Sequence, residues 1–174
     1  MDKREKLDAL KLALTNEEKE KEFYLQHAGR TSNEVGKKMF IAIAKDEEEH
    51  YRKIEELYNN LKERDGWPDG FSSQISSSKV AEIIDDIIQK SLVSESADVE
   101  DEKAVEMAID FERMAEEFYS ELAERADSEE ERNFFNMLSS LEREHRLSLE
   151  DTLDYFKDPQ GWLERKGGRH LDGA

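Results

Sequence analysis

Two glutamate–histidine pairs provide the residue types with which this sequence could do chemistry. Glu47 precedes His50 by three positions in the stretch DEEEHYRKIEEL, and Glu142 precedes His145 by the same spacing. On a helix, this spacing puts a carboxylate and an imidazole on one face about one turn apart. Both groups are good ligands for transition metal ions. One such motif in a Glu-rich chain is equally well explained by chance, because short motifs have a high false-positive rate.

Both pairs interrupt seams of apolar residues at helical spacing, which makes chance a poorer explanation. The first pair lies on a seam with Phe40, Ile43, Ile54, Leu57 and Leu61, and the second lies on one with Phe135, Leu138 and Leu149. Two further segments place carboxylates on an apolar face, namely Glu17 with Glu20 and, in the other segment, Glu112. The seams predict that these ionisable groups point into the interior of a helical bundle.

Buried carboxylates need a partner, because each unpaired ion costs several kcal/mol even after relaxation of the protein. No Lys or Arg falls on the seams near these acids, which leaves protonation or a bound cation. Four glutamates and two neutral histidines would be balanced by two divalent ions. Carboxylate and imidazole ligands favour iron, manganese or zinc over calcium or magnesium.

An internal repeat organises the chain. At an offset of 95 positions, residues 9–67 align with 104–162 without a gap, and 17 of these 59 positions are identical. Capping patterns in TSNE (31–34) and ADSEE (126–130) divide each copy into two helices. We therefore predict four long helices at about 4–30, 33–64, 98–126 and 128–157.

The predicted fold class is all-α, a four-helix bundle built from two repeated hairpins. The bundle domain covers 1–158, with hairpin 1 at 4–64, a long crossover at 65–97 that contains a short amphipathic helix, and hairpin 2 at 98–157. Residues 159–174 are expected to form a C-terminal tail. Trp162 is expected to pack on the bundle, as is Trp67 in the first copy, with an exposed binding role as the alternative.

Composition excludes several classes of function. A net charge of -18 argues against nucleic acid and anionic membranes, because contact with phosphate needs clustered Lys and Arg. The longest uncharged apolar run, MFIAIA, is too short to span a bilayer, and the start has no signal-like apolar core, so a cytoplasmic protein is expected. The absence of cysteine removes thiolate chemistry and iron–sulfur ligation.

The ligand pattern resembles that of the ferritin-like di-iron carboxylate proteins, in which two helices give one Glu each and two give Glu-x-x-His. The spacing of seven from Glu17 to Tyr24 and from Glu112 to Tyr119, with Phe before each Tyr, resembles the rubrerythrin-like branch over residues 9–157. The resemblance implies that both tyrosines bond to metal-binding carboxylates, with ordinary core packing as the alternative. It implies two metal ions, with iron as the first candidate, held by Glu17, Glu47, His50, Glu112, Glu142 and His145.

The chain departs from rubrerythrins at two points. They have a cysteine-ligated rubredoxin module, which a chain without cysteine lacks, so this chain would need an external electron donor or would not turn over as they do. They also have a further carboxylate on the third helix, where this chain has Ala115, while Glu20 occupies the pseudo-symmetric place on the first helix. Glu20 is either an additional or switching ligand or a solvated edge residue. Asp46 is a weak candidate to orient His50, and His27 and His170 are expected at the surface.

Three functions remain open. The first is a non-haem di-iron oxidoreductase that reduces hydrogen peroxide or dioxygen, with the small oxidant and an electron donor as its partners. The second is ferritin-like oxidation and sequestration of iron, which needs a shell assembly, although no part of the C-terminal tail resembles the fifth helix of ferritin cages. The third is a structural bundle stabilised by metal. A homodimer that exchanges hairpins is compatible with each of them.

Overall fold

The computed structural model describes residues 1–64, 66–68, 71, 75–76, 78–89 and 97–169, and every regular element in them is a helix. The helices are α1 Lys3–Arg30, α2 Glu34–Glu63, α3 Val80–Gln89, α4 Val99–Glu124, α5 Glu129–Lys157 and α6 Pro159–Arg169. The all-α prediction is confirmed. The four long helices end within two residues of their predicted bounds.

Side chains at the helix N-termini explain where the long helices begin. Asp2 and Asp98 each accept a hydrogen bond from the backbone N–H three residues on, and the acidic residue at that position bonds back to the cap backbone. Asn33 and Ser128 accept the corresponding bond at the start of α2 and α5. These bonds satisfy donors that a helix leaves without a partner at its first turn.

The bundle consists of two packed helical hairpins, α1 with α2 and α4 with α5. Helices α1 and α4 are antiparallel, since Arg30 at the end of α1 pairs with Asp101 at the start of α4. At the other end of the bundle, the amino terminus pairs with Asp127, just after α4. The crossover therefore returns the chain to the opposite end of the bundle before α4 begins, as the length of the connection predicted.

Two apolar clusters occupy the ends of the bundle, and the ionisable residues lie between them. The first cluster includes Met39, Phe40, Val105 and Phe156, and the second includes Leu10, Ile54, Phe134 and Leu138. Each cluster draws on all four long helices, so hydrophobic burial holds the helices at a fixed spacing on both sides of the polar layer. Gly36 permits part of this close packing, because a Cβ there would lie 2.9 Å from the Phe156 ring.

The crossover and the C-terminal segment add two short helices. Helix α3 confirms the predicted amphipathic helix, and it buries Val80 completely in the first cluster. Helix α6 lies in the segment predicted to form a C-terminal tail. Its Trp162 is 2% exposed and packs on Tyr155, while its indole N–H donates to Asp151. Trp67 is half-buried against Phe71 and Phe134.

Among the described residues, none of the helices combines the length and the hydropathy needed to cross a bilayer.

Candidate metal centre

The six residues predicted as metal ligands meet halfway along the bundle. Glu17 comes from α1, Glu112 from α4, Glu47 with His50 from α2, and Glu142 with His145 from α5. Each side chain is at most 1% exposed. The i, i+3 spacing on α2 and α5 places each glutamate and its histidine one turn apart on the inner face, as the sequence predicted.

The six side chains form two groups that share two members. One group contains Glu17, Glu47, His50 and Glu142, and the other contains Glu47, Glu112, Glu142 and His145; within each group the potential ligand atoms lie within 4.8 Å of one another. Each group has three carboxylates and one imidazole. Because Glu47 and Glu142 belong to both groups, the arrangement could hold two ions joined by two carboxylates.

The two shared glutamates direct one oxygen to each histidine. Oε2 of Glu47 lies 3.1 Å from Nδ1 of His50, and Oε1 lies 3.0 Å from Nδ1 of His145. For Glu142, the corresponding distances are 3.3 Å from Oε1 to His50 and 3.6 Å from Oε2 to His145. The other two glutamates each approach one of the two histidines. Oε2 of Glu17 lies 3.3 Å from Nδ1 of His50, and Oε2 of Glu112 lies 3.5 Å from Nδ1 of His145. Two carboxylates are thus placed to bridge and two to bind at one end only.

Both tyrosines contact the cluster, and each reaches across to the other hairpin. Tyr24 on α1 donates its hydroxyl hydrogen bond to Oε1 of Glu112 on α4, and Tyr119 on α4 donates to Oε1 of Glu17 on α1. The second oxygen of each glutamate remains directed at a histidine. Such bonds fix the orientation of a carboxylate that could bind metal.

Asp46 corrects one prediction. The sequence suggested that it orients His50 on its own helix, but Oδ2 of Asp46 lies 3.1 Å from Nε2 of His145 on α5. Ser78, in the crossover, donates a hydrogen bond of 2.7 Å to the same oxygen. The repeat counterpart of Asp46 is Leu141, which has no polar group to offer. The surroundings of the two histidines therefore differ, and the role of Ser78 had no signal in the sequence pattern.

The electrostatics of the cluster favour a bound cation. Among the described residues, the ion pairs of the six side chains join them to one another and to Asp46, and none involves Lys or Arg. Several buried polar atoms have no hydrogen-bond partner, namely Oε2 of Glu17, Oε1 of Glu47, Oε2 of Glu112, both oxygens of Glu142 and Nδ1 of His145. Unpaired buried polar atoms are costly, so this donor set fits a pair of metal ions.

The pKa values report the same crowding of charge. Burial raises the pKa of Glu112 to about 8, and burial together with Glu142 raises the pKa of Glu17 well above its usual range. Burial alone would lower the pKa of both histidines, but Glu142 and Glu47 raise that of His50, and Glu112 and Glu47 raise that of His145. Without a cation, the cluster therefore retains protons that metal ions would displace.

Glu20 lies beside the cluster without belonging to either group of four. Its side chain is half-buried, its Oε2 is buried without a hydrogen-bond partner, and burial together with Glu47 and Glu112 raises its pKa. Its role as a ligand remains a prediction. His27 was expected at the surface, but it is half-buried and packs on Phe23, with ring centroids 4.3 Å apart. His170 lies outside the described residues.

A four-helix bundle with two carboxylate–imidazole groups that share two glutamates defines the class of ferritin-like bundles with a site for a metal pair. A family profile described as Rubrerythrin matches residues 8–98 and 103–168, and the chain belongs to this family. Each matched stretch covers most of one of the two hairpins. Comparison with curated proteins and with solved structures gave no match.

Proposed function

We propose that this protein is a non-haem di-iron oxidoreductase that reduces hydrogen peroxide or dioxygen. The observation that carries the proposal is the pair of overlapping ligand groups, in which Glu47 and Glu142 each present one oxygen to either side. Two adjacent ions match the two-electron reduction of an O–O bond. Manganese or zinc would suit the same ligands, but zinc has no redox chemistry.

Each part of the cluster has a separate task. Glu47 and Glu142 would bridge the ions, while His50 with Glu17 and His145 with Glu112 would hold one ion each. Tyr24 and Tyr119 keep one oxygen of Glu112 and of Glu17 occupied, which leaves the other oxygen free to bind. A bound pair of ferrous ions would supply two electrons and act as Lewis acids toward the departing oxygens. The apolar clusters on both sides keep bulk water away from this layer.

The test is rapid mixing of the anaerobically reduced, iron-loaded protein with one equivalent of hydrogen peroxide or of dioxygen. We expect oxidation by peroxide to be complete and faster than oxidation by dioxygen, as followed by absorbance. A variant with both Glu47→Ala and Glu142→Ala is the control, and it should show neither metal pair nor reaction. Negligible or equal rates with the two oxidants in the parent protein would contradict a peroxidase.

A further inference from the structure

A cleft opens between α1 and α4 next to the metal centre. Its volume is about 410 Å³. The lining residues are Asn16, Lys19, Glu20 and Phe23 from α1 and Phe111, Met114, Ala115 and Phe118 from α4. A volume of this size lies within the range of small-molecule sites, and it is more than ten times the roughly 30 Å³ that a water molecule occupies in the liquid. Hydrogen peroxide alone would leave most of the cleft unfilled.

The inner end of the cleft adjoins the candidate ligands. Glu20 and Ala115 each follow a cluster glutamate by three residues, so both lie one helical turn from the polar layer. Glu20 lines the cleft, and its Oε2 is buried without a hydrogen-bond partner. Its repeat counterpart is the small residue Ala115, so the α4 side of this end carries no polar or bulky group. The cleft therefore reaches to within one helical turn of Glu17 and Glu112.

The walls of the cleft are mainly apolar. Phe23 and Phe111 meet edge to face across the two helices, with ring centroids 5.1 Å apart. Phe118 is half-buried, and Met114 is 58% exposed at the mouth. Aromatic rings with a flexible thioether suit an apolar ligand of variable shape. The polar lining residues are Asn16, Lys19 and Glu20, all on α1, and Glu20 lies one helical turn from the candidate ligand Glu17.

We infer that the cleft binds the apolar tail of an organic hydroperoxide, ROOH, whose peroxide group reaches the centre past Glu20. The inference rests on the proposed function and narrows its substrate class. In the reaction, the O–O bond breaks, and ROOH takes up two electrons and two protons to give ROH and water. Two ferrous ions held by the six candidate ligands would supply one electron each. An external one-electron donor restores them, and the protons come from solvent.

The first test measures rates on the reduced, iron-loaded protein with three oxidants: cumene hydroperoxide, tert-butyl hydroperoxide and hydrogen peroxide. The two organic hydroperoxides share the same reacting group and differ in the size of the apolar tail. We expect cumene hydroperoxide to saturate at a concentration about tenfold lower than tert-butyl hydroperoxide, a difference that corresponds to about 1.4 kcal/mol. Met114→Lys should lower the ratio of the cumene hydroperoxide rate to the hydrogen peroxide rate several-fold.

Met107→Lys is the matched control. Met107 lies on the same helix, is 51% exposed and does not line the cleft. Its replacement by Lys therefore adds the same charge at a position of similar exposure, outside the cleft. We expect Met107→Lys to keep the parent ratio. Equal effects of the two substitutions, or no preference for the larger tail, would overturn the inference while the hydrogen peroxide reaction still supports the proposed function. If none of the three oxidants reacts with the reduced protein, both the inference and the proposed function would be overturned.

A second measurement does not depend on turnover. The product alcohol 2-phenylpropan-2-ol is titrated by calorimetry or NMR into protein loaded with redox-inert zinc. We expect saturable binding that is weakened several-fold by Met114→Lys and unchanged by Met107→Lys. Absence of binding would overturn the inference. It would also be overturned if the parent sediments as a dimer and Met114→Lys as a monomer, because the cleft would then be a subunit interface.

Discussion

Glu47 and Glu142 contribute both carboxylate oxygens to the centre, one facing each histidine. Glu17 and Glu112 contribute a single oxygen each, because the other accepts a hydrogen bond from a tyrosine. Loss of a shared glutamate, Glu47 or Glu142, should therefore weaken the binding of both metal ions. Loss of an end glutamate, Glu17 or Glu112, should weaken the binding of one ion only. The two kinds of carboxylate can be distinguished by counting metal.

The first prediction concerns this count. After anaerobic loading with ferrous iron and gel filtration, elemental analysis should find about two ions per chain in the parent, about one in Glu17→Ala and fewer than one in Glu47→Ala. Glu18→Ala, which removes an exposed acid next to Glu17, should retain the parent content. The same content in Glu17→Ala and Glu47→Ala would show that the carboxylates do not divide into bridging and end ligands.

The second prediction concerns Asp46, whose Oδ2 faces Nε2 of His145. When Nδ1 of the imidazole binds metal, Nε2 carries the hydrogen and donates it to Asp46, which orients the ring. Asp46→Leu introduces the residue found at the other repeat position, Leu141. It should reduce the affinity for one of the two ions by about 10- to 100-fold, as measured by competition with a chelator. Asp46→Asn, which keeps an acceptor oxygen, should have a smaller effect. An equal loss of affinity for both ions would argue against a specific role of Asp46 at His145.

The third prediction concerns the pH dependence of the metal-free protein. Groups whose pKa is raised in the folded state stabilise it below their unfolded pKa, and this stability is lost as pH rises through the folded pKa. The pKa of Glu112 is raised to about 8, and those of His50 and His145 are raised well above 6.5. Stability should therefore fall as pH rises from about 5 to about 8.

Urea unfolding of chelator-treated protein at several pH values measures this slope. Glu47 and Glu142 have lowered pKa values, because the histidines outweigh the effect of burial on Glu47 and the effects of burial and Glu47 on Glu142. Glu47 and Glu142 therefore change their protonation only at acidic pH, and they do not alter the pH dependence of stability above pH 5. Glu112→Gln, which removes one of the groups with a raised pKa, should reduce the fall in the free energy of unfolding between pH 5 and 8. A metal-free protein that becomes more stable between pH 5 and 8 would contradict the assigned directions.

At the scale of the helices, the sequence determined most of the fold. Helix bounds follow from caps such as Asn33 and Ser128, which satisfy backbone donors locally and need no tertiary information. The placement of the six cluster residues inside the bundle follows from the seams, because the positions at steps of three and four face one way on any helix. Because the chain contains an internal repeat, each of these patterns occurs twice. Both the fold and the meeting point of the cluster were therefore predictable.

The remaining features depend on packing between helices, which periodicity within one helix does not encode. Asp46 lies four residues before His50, yet it contacts His145, because the neighbouring helix α5 brings that ring to it. Helix α6 contains three glycines, which have low helix propensity, and its Trp162 finds its place only against the finished bundle. The cleft depends on the distance between α1 and α4, which no local pattern specifies.

The fourth prediction concerns α6, whose Trp162 is 2% exposed. Trp162→Ala should lower the free energy of unfolding by about 3 to 5 kcal/mol, because it leaves a cavity and removes the hydrogen bond to Asp151. Trp67→Ala, at a half-buried position, should cost less. Urea unfolding measures both, and metal content should be unchanged in both. Equal costs would show that α6 adds no more to the core than the loop after α2.

At the scale of the whole molecule, the bundle places a charged layer between two apolar clusters. Any ligand that binds the folded state alone raises its stability by mass action. The fifth prediction is that ferrous or zinc ions raise the melting temperature of chelator-treated protein in proportion to the logarithm of their concentration, by several degrees at saturation. Calcium and magnesium should raise it less, since they favour all-oxygen ligands. Equal shifts with all four ions would indicate nonspecific binding to the acidic surface.

The exchange of tyrosine hydrogen bonds between the hairpins has a consequence for how such a protein can change over time. Two identical hairpins that associate around a twofold axis would already present each tyrosine to its twin's glutamate, but symmetry would oblige both ions to share one environment. Fusion into a single chain lifts that obligation, so aspartate can stand at position 46 and leucine at 141, glutamate at 20 and alanine at 115. A tandem chain can thus give its two groups of candidate ligands different surroundings, which two identical hairpins related by a twofold axis could not.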